Sequence, residues 1–258
     1  GCVFIINMAY GVFVNGVYAI ASQVRGYVLT FSQNIQKAIE PQIIKNYAAH
    51  DDYHFNLLIN KGSMFQMLLS LVVMIPMLLR TRQILSLWLG HVPEHLCFFV
   101  QMILFISLIY AITCPIITGA LATGKIKKFL LVCNCINIIS LLVFYILSHY
   151  GLMVEQIVCG FVFVELLIAL YRVFRLAAIS NFKLLYFVKN TFLPCLIVGL
   201  VTYCLMLMLN RYFSETIVGL VFYAVVSTLF IGVLSYIICL SKKEKALINS
   251  LILKFLKK

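Results

Sequence analysis

The chain is short of charge, and shortest of acid: 11% of its 258 residues are charged, with 8 Asp and Glu against 20 Lys and Arg. A soluble globular chain is about 25% charged and about half apolar. Here 64% of residues are hydrophobic and the mean hydropathy is +1.07. Too few polar side chains remain to cover a water-facing surface, which excludes a soluble fold and makes lipid the solvent. Chemical motifs are missing as well. There is no GxGxxG, no Walker lysine loop, no HExxH and no Ser/His/Asp arrangement. The five histidines, His50, His54, His91, His95 and His149, fall in loops or near helix ends. His91, Glu94 and His95 are the one outward titratable group, and a solvated loop explains them. The nine cysteines form neither a CxxC nor a Cys/His pairing at zinc-ligand spacing, so they read as small packing residues within helices. No enzyme, cofactor or metal site is expected.

What is abundant is long apolar runs, with 20 Phe and 14 Tyr suited to the interfacial belt. A spanning helix needs about 20 mainly apolar residues. That length marks seven complete spans, at 17–39, 64–79, 96–119, 129–147, 154–174, 185–209 and 217–240. The run 2–14 is too short to span alone and reads as the second half of a helix in a longer protein. Turn-like or charged segments at 50–52, 90–94 and 123–125 separate the runs. Pro76, Pro115 and Pro194 mark bends in or near helices. The fold class is therefore an all-α polytopic membrane protein.

The net charge of +12 would suit nucleic acid, but the cations are confined to short segments between apolar runs. That distribution is one of topology, and nucleic acid is not an expected partner. One alternate set of segments holds sixteen cations: Lys37, Lys45 and Lys61, then Lys125, Lys127 and Lys128, then Arg172, Arg175, Lys183 and Lys189, then six lysines of the tail. The other set holds Arg80, Arg82 and Arg211. The bias places the C-terminus in the cytoplasm and the short 80–94, 149–156 and 211–215 loops outside. In the tail, 241–258, Leu247, Ile248, Leu251, Ile252 and Phe255 recur at helical spacing between lysines. This predicts an amphipathic helix lying on anionic membrane lipid.

Charged groups inside spans carry the functional information, because each costs at least ~2.5–3.5 kcal/mol at mid-bilayer. Arg25 lies mid-span, and Ser22, Arg25, Ser32 and Gln36 follow one another at three-, seven- and four-residue steps, with Gln33, Asn34 and Lys37 widening the stripe. Two readings stand: a buried structural arginine with a neighbouring partner, or the wall of a water-filled cavity that binds an anion. Glu165 is the single carboxylate deep in a span, with Arg172 seven residues on along the same face. It is a candidate for ion coupling or for a local pair. Asn134 and Asn137 read as ties between helices.

Several segments together resemble a known family. YAIASQVR (18–25) and FSQNIQKAIEPQIIKNYA (31–48) look like the opening helix and loop of the C-terminal half of bacterial polysaccharide (O-antigen type) flippases. ILSLWLGHVPE (84–94), PIITGALATGKIKK (115–128) and the lysine-rich tail are similar too, so the resemblance spans essentially the whole chain. That family belongs to the multidrug/oligosaccharidyl-lipid/polysaccharide exporter superfamily. The resemblance implies the C-terminal helical lobe of an alternating-access transporter: 1–180 as the transport lobe, 181–240 as an extra transmembrane pair and 241–258 as the tail. It further implies flipping of a lipid-linked oligosaccharide, of polyprenyl pyrophosphate type, across the cell inner membrane, with an N-terminal lobe as partner. Arg25, Ser22, Ser32, Gln33, Gln36 and Lys37 become cavity candidates and Glu165 the coupling candidate. The chain departs from the family pattern at Lys37 and Glu40, where uncharged Thr and Asn are expected. The alternatives are a cation-coupled multidrug antiporter, which would use acidic cavity residues, and a polytopic glycan polymerase or ligase, which would carry large outward loops.

Overall fold

Lipid offers no hydrogen bonds to a bare backbone, so an apolar chain of this kind satisfies its N–H and C=O groups within helices. The computed structural model describes residues 2–241, 244–246 and 250, and among these there are helices and no strand. Seven helices are long and apolar enough to cross a membrane, matching the number read from hydropathy.

The first helix, α1, runs Cys2–Ala48 and is interrupted once, at Gly11, where φ is +83°. A side chain would strain at that dihedral, whereas glycine takes it freely. The runs 2–14 and 17–39, read as belonging to separate helices, are thus parts of one helix kinked at Gly11 and continuous through Asn15 and Gly16. Helix α2 spans Asp52–Leu79 and starts twelve residues earlier than its apolar run, because its first three turns are polar. Asp51 caps it by accepting the His54 N–H at 3.0 Å. That bond and a second from the His54 ring hold the Asp51 carboxyl below the usual carboxylate range. The predicted 80–94 loop contains a short helix, α3 (Thr81–Leu89).

Helix α4 (Leu96–Ala122) is the hub, packing on α1, α2 and α6 (Val154–Ile179). Two apolar clusters share it. Leu96, Phe99, Val100 and Ile103 join Val17, Ala21, Val24 and Ile157, while Ile112, Ile116 and Ala120 join Ile43, Phe55, Ile59 and Leu176. Gly62 of α2 lets α1 and α4 approach closely: a methyl there would stand 2.6 Å from Ile39 and 3.4 Å from Pro115. Helix α5 (Ile126–His149) packs mainly on α6 and is otherwise open, with Leu131, Ile138, Ile139 and Leu142 exposed. This is the pattern of a lipid-facing helix.

The last pair begins with α7 (Leu184–Phe187), which passes through a π turn, Val188–Phe192, into α8 (Leu193–Leu209). Pro194 brings no N–H to the helix ladder, and a one-residue shift of register absorbs the gap. Helix α9 (Ile217–Ile238) returns, capped by Thr216. By contrast α2 and α4 pass through Pro76 and Pro115 as continuous helices. The predicted tail helix lies outside the described residues except for its start. There Ser241 and Glu244 cap one another, and Glu244 pairs with Lys61 of α2 at 2.7 Å. Burial pushes the Glu244 carboxyl up, but the Lys61 and Ser241 hydrogen bonds outweigh it and leave it below its ordinary value.

The ends of these helices sort the cations as expected. Lys37, Lys45, Lys125, Lys183 and Lys189 fall at the end where α1, α4 and α6 finish. Arg80, Arg82 and Arg211 fall at the opposite end.

Candidate functional site

Helix α1 divides the predicted stripe among three environments. Its inner seam consists of Val17, Ala21, Val24 and Val28, and Ser32 and Gln36 continue that seam into the core. Ser22 and Arg25 flank it, half-buried. Gln33, Asn34 and Lys37 lie on the open side, where Gln23 and Thr30 extend them into a polar strip. The single stripe read from the sequence is thus a buried arm and an exposed arm, with Arg25 half-buried beside Ser32 and Gln36 of the buried arm.

Ser22 donates to the Tyr18 carbonyl of its own helix at 2.9 Å, so its hydroxyl is used locally. Arg25 makes no ion pair among the described residues, and its Nε is buried without a partner. A buried guanidinium N–H without an acceptor is costly. Arg80 and Arg175 share that feature, so it does not by itself distinguish Arg25.

The buried arm has partners from two further helices. Gln66 of α2 donates through Nε2 to Gln36 Oε1 at 2.6 Å, and Gln36 donates through Nε2 to Thr118 Oγ1 of α4 at 2.6 Å. Neither Gln66 nor Thr118 was singled out in the sequence, although a signal existed. Asn56, Asn60, Ser63, Gln66 and Ser70 recur every three or four residues and are all buried, forming a polar seam that begins before the apolar run of α2. Its lower part fastens the last helix pair. Asn56 donates to the Asn181 carbonyl at 3.0 Å and accepts the Lys183 N–H at 3.0 Å, and Asn60 accepts from Thr191 at 3.0 Å.

Glu165 is not free. Arg172 donates to its Oε1 at 2.9 Å and to Thr113 Oγ1 at 3.2 Å, with the guanidinium 5.9 Å from the Tyr110 ring. Both charged side chains are largely buried, so the pair bridges successive turns of α6 and ties it to α4. Arg80, read as an outward-loop cation, is buried too. It donates to the Asn210 carbonyl at 2.7 Å and the Phe213 carbonyl at 3.0 Å, and lies over Tyr223 at 5.1 Å. Asn134 and Asn137 face outward on α5, and Asn137 bonds its own helix at Cys133 rather than a neighbour. His95 pairs with Glu155, joining the first turns of α4 and α6.

Among the described residues no group of three or more His, Cys, Asp or Glu is placed to hold a metal. The chain matches no protein-family model, no curated protein and no solved structure.

Proposed function

We propose that this protein is the C-terminal lobe of an alternating-access exporter that flips a lipid-linked oligosaccharide across a bacterial inner membrane, with its C-terminus in the cytoplasm. The observation that carries the reading is the open polar arm of α1: Gln23, Thr30, Gln33, Asn34 and Lys37 are exposed along one strip, and the half-buried Arg25 lies on the same helix. Amides and a cation against acyl chains are expensive. Such a strip belongs beside water or a second lobe, and a cavity between two lobes supplies both.

The strip suits the proposed cargo. A polyprenyl pyrophosphate sugar is anionic and rich in hydroxyls at one end and apolar at the other. A guanidinium forks onto a pyrophosphate oxygen pair, amides exchange hydrogen bonds with sugar hydroxyls, and the polyprenyl chain stays in the bilayer. The antiporter reading would place the coupling ion at Glu165. Its pairing with Arg172 at 2.9 Å weighs against that, because the carboxylate is already occupied by a guanidinium. The polymerase reading lacks large outward loops to hold an active site.

Export of the oligosaccharide in a cell lacking its own flippase tests the proposal. Arg25→Ala should abolish export at normal protein level, and Arg25→Lys should restore a small part, since an ammonium cannot fork. Full export by Arg25→Ala together with none by Glu165→Gln would replace this reading with cation-coupled antiport.

A further inference from the structure

The last helix pair and α6 leave a gap between them. Helix α6 packs on α4 and α5, whereas α8 packs on α2 and α9, and α6 meets the pair at α7. Beyond that contact a cleft of about 510 Å³ opens between α4, α6 and the continuous α7–α8 segment. Its floor includes Met67, Ile112, Ala169 and Phe187, all buried, and its rim includes Leu166, Leu170 and Phe174, all exposed. Among the described residues none of α1 lines it, so the cleft is separate from the polar strip.

The lining excludes water as the occupant. Thr113 is the one polar residue among the described residues that line the cleft, and its hydroxyl is already engaged, donating to the Ile109 carbonyl at 3.1 Å and accepting from Arg172 at 3.2 Å. A buried water needs two to four polar partners, which these walls do not offer. Left empty, the walls would forfeit their dispersion contacts. Acyl chains are the apolar filler that a bilayer supplies, and the dimensions suit a chain of one leaflet. From Leu184 to Leu196 the lining runs twelve residues along one helix, ~18 Å of axis. The hydrocarbon of one leaflet is about 15 Å deep, half of the bilayer core. A polyprenyl chain is longer than this and branched at every unit, so it would not end within the cleft.

One end of the cleft is cationic. Lys183 directly precedes the lining residue Leu184 and Lys189 directly follows Val188, and both lysines are exposed. Neither forms an ion pair among the described residues. We propose that the cleft holds one acyl chain of an anionic phospholipid, with its phosphate at the level of Lys183 and Lys189. Lysines at a membrane surface attract anionic headgroups, and here the attraction has an acyl slot beside it. The lipid completes a contact that the protein makes at one end alone. Asn56 and Asn60 of α2 fasten the last pair near the lysines, through the Lys183 N–H and the Thr191 hydroxyl, and the acyl chain fills the space between α6 and α8 farther in. It is a structural ligand of the last helix pair whatever the protein transports, so the inference does not rest on the exporter reading.

The test is native mass spectrometry of the purified full chain, delipidated in detergent and titrated with phosphatidylglycerol or with phosphatidylcholine of the same acyl chains. Wild type should retain one phosphatidylglycerol under activation that strips further lipids, and should bind it about tenfold more tightly than phosphatidylcholine. Ala169→Phe, which puts a ring into the floor of the cleft, should lose that lipid, whereas Leu142→Phe, on the exposed face of α5, should keep it. If Ala169→Phe does not fold, Leu166→Trp blocks the cleft from its exposed rim. Lys183→Gln combined with Lys189→Gln should bring the two lipids to equal affinity. Absence of a retained lipid in wild type overturns the inference, and so does a lipid retained undiminished by a folded variant with the cleft blocked. Equal affinity of wild type for the two lipids overturns it as well. Preferential retention of polyprenyl phosphate over phosphatidylglycerol would give the cleft to the cargo and overturn the assignment to phospholipid. Export assays play no part in the readout, so loss of the exporter reading leaves this result standing.

Discussion

Arg80 and Arg25 carry the same guanidinium in opposite circumstances. Arg80 sits where α2 ends, and its two carbonyl acceptors belong to the turn between α8 and α9, with Tyr223 beneath. Tyr223 in turn donates to the Met206 carbonyl at 2.9 Å, so one cation and one phenol close the outer end of the last helix pair. Arg25 has no such closure. A charged donor with two carbonyl partners contributes about 1.5–3 kcal/mol per bond lost when truncated in a buried setting. Arg80→Met should accordingly lower stability by ~2–4 kcal/mol and expose the 210–216 turn to protease, while Arg80→Lys recovers less than half. Arg25→Ala should leave both readouts near wild type. Equal sensitivity of the two variants would mean that Arg25 is structural after all.

At the scale of the element, legibility followed the physics that hydropathy measures. Helices α5 and α9 are mainly apolar and exposed, and their ends agree with the apolar runs to within three residues at the start of α5 and two at the end of α9. Helix α2 was truncated in the reading because its first three turns hold Asn56, Asn60 and Ser63 against protein instead of lipid. A window scoring transfer to hydrocarbon cannot see a polar face that is satisfied by the Asn181 carbonyl, the Lys183 N–H and the Thr191 hydroxyl. The same blindness hid Arg80: its count as a loop cation was correct, but its burial depends on carbonyls 130 and 133 residues away. Local steric limits are more predictable. Helix α9 contains two glycines of opposite kind. A Cβ on Gly219 would lie 2.3 Å from the Ser214 carbonyl oxygen, while a Cβ on Gly232 meets nothing within 4 Å. Backbone cannot swing aside as a side chain can. Gly219→Ala should cost ~1–3 kcal/mol by displacing the turn that Thr216 caps, and Gly232→Ala should be neutral or slightly stabilising through its helix propensity. Thermal melts of the two variants side by side check this, and a neutral Gly219→Ala would show that the 213–216 turn yields freely.

For the whole molecule, the proposed orientation rests on two patterns. The helices alternate in direction from α1 to α9, apart from the short α3 and the continuous α7–α8, so each inter-helix segment belongs to one end or the other. The cations were assigned to the same two ends by sequence alone, sixteen to three, with Arg25 left mid-span. Of the three on the sparse side, Arg80 is engaged in structure and so says little about the membrane potential or lipid charge, which strengthens the asymmetry among cations that face solvent. Several at the dense end are exposed, including Lys37, Lys45 and Lys125. In the proposed orientation the dense end is the cytoplasmic one, the side on which such a bias is expected. A reporter fused after Lys258 should then be active only in the cytoplasm, and one inserted between Arg211 and Glu215 only outside. Four lysines at the dense end, Lys125, Lys127, Lys128 and Lys183, provide the stricter check. Replacing all four by Gln should raise the fraction of inverted molecules, measured by cysteine labelling at residue 212 with a membrane-impermeant reagent in a variant lacking the native cysteines. If both reporters fall on one side, the alternation of spans is wrong; if orientation is indifferent to the four lysines, the cation bias is not what sets it.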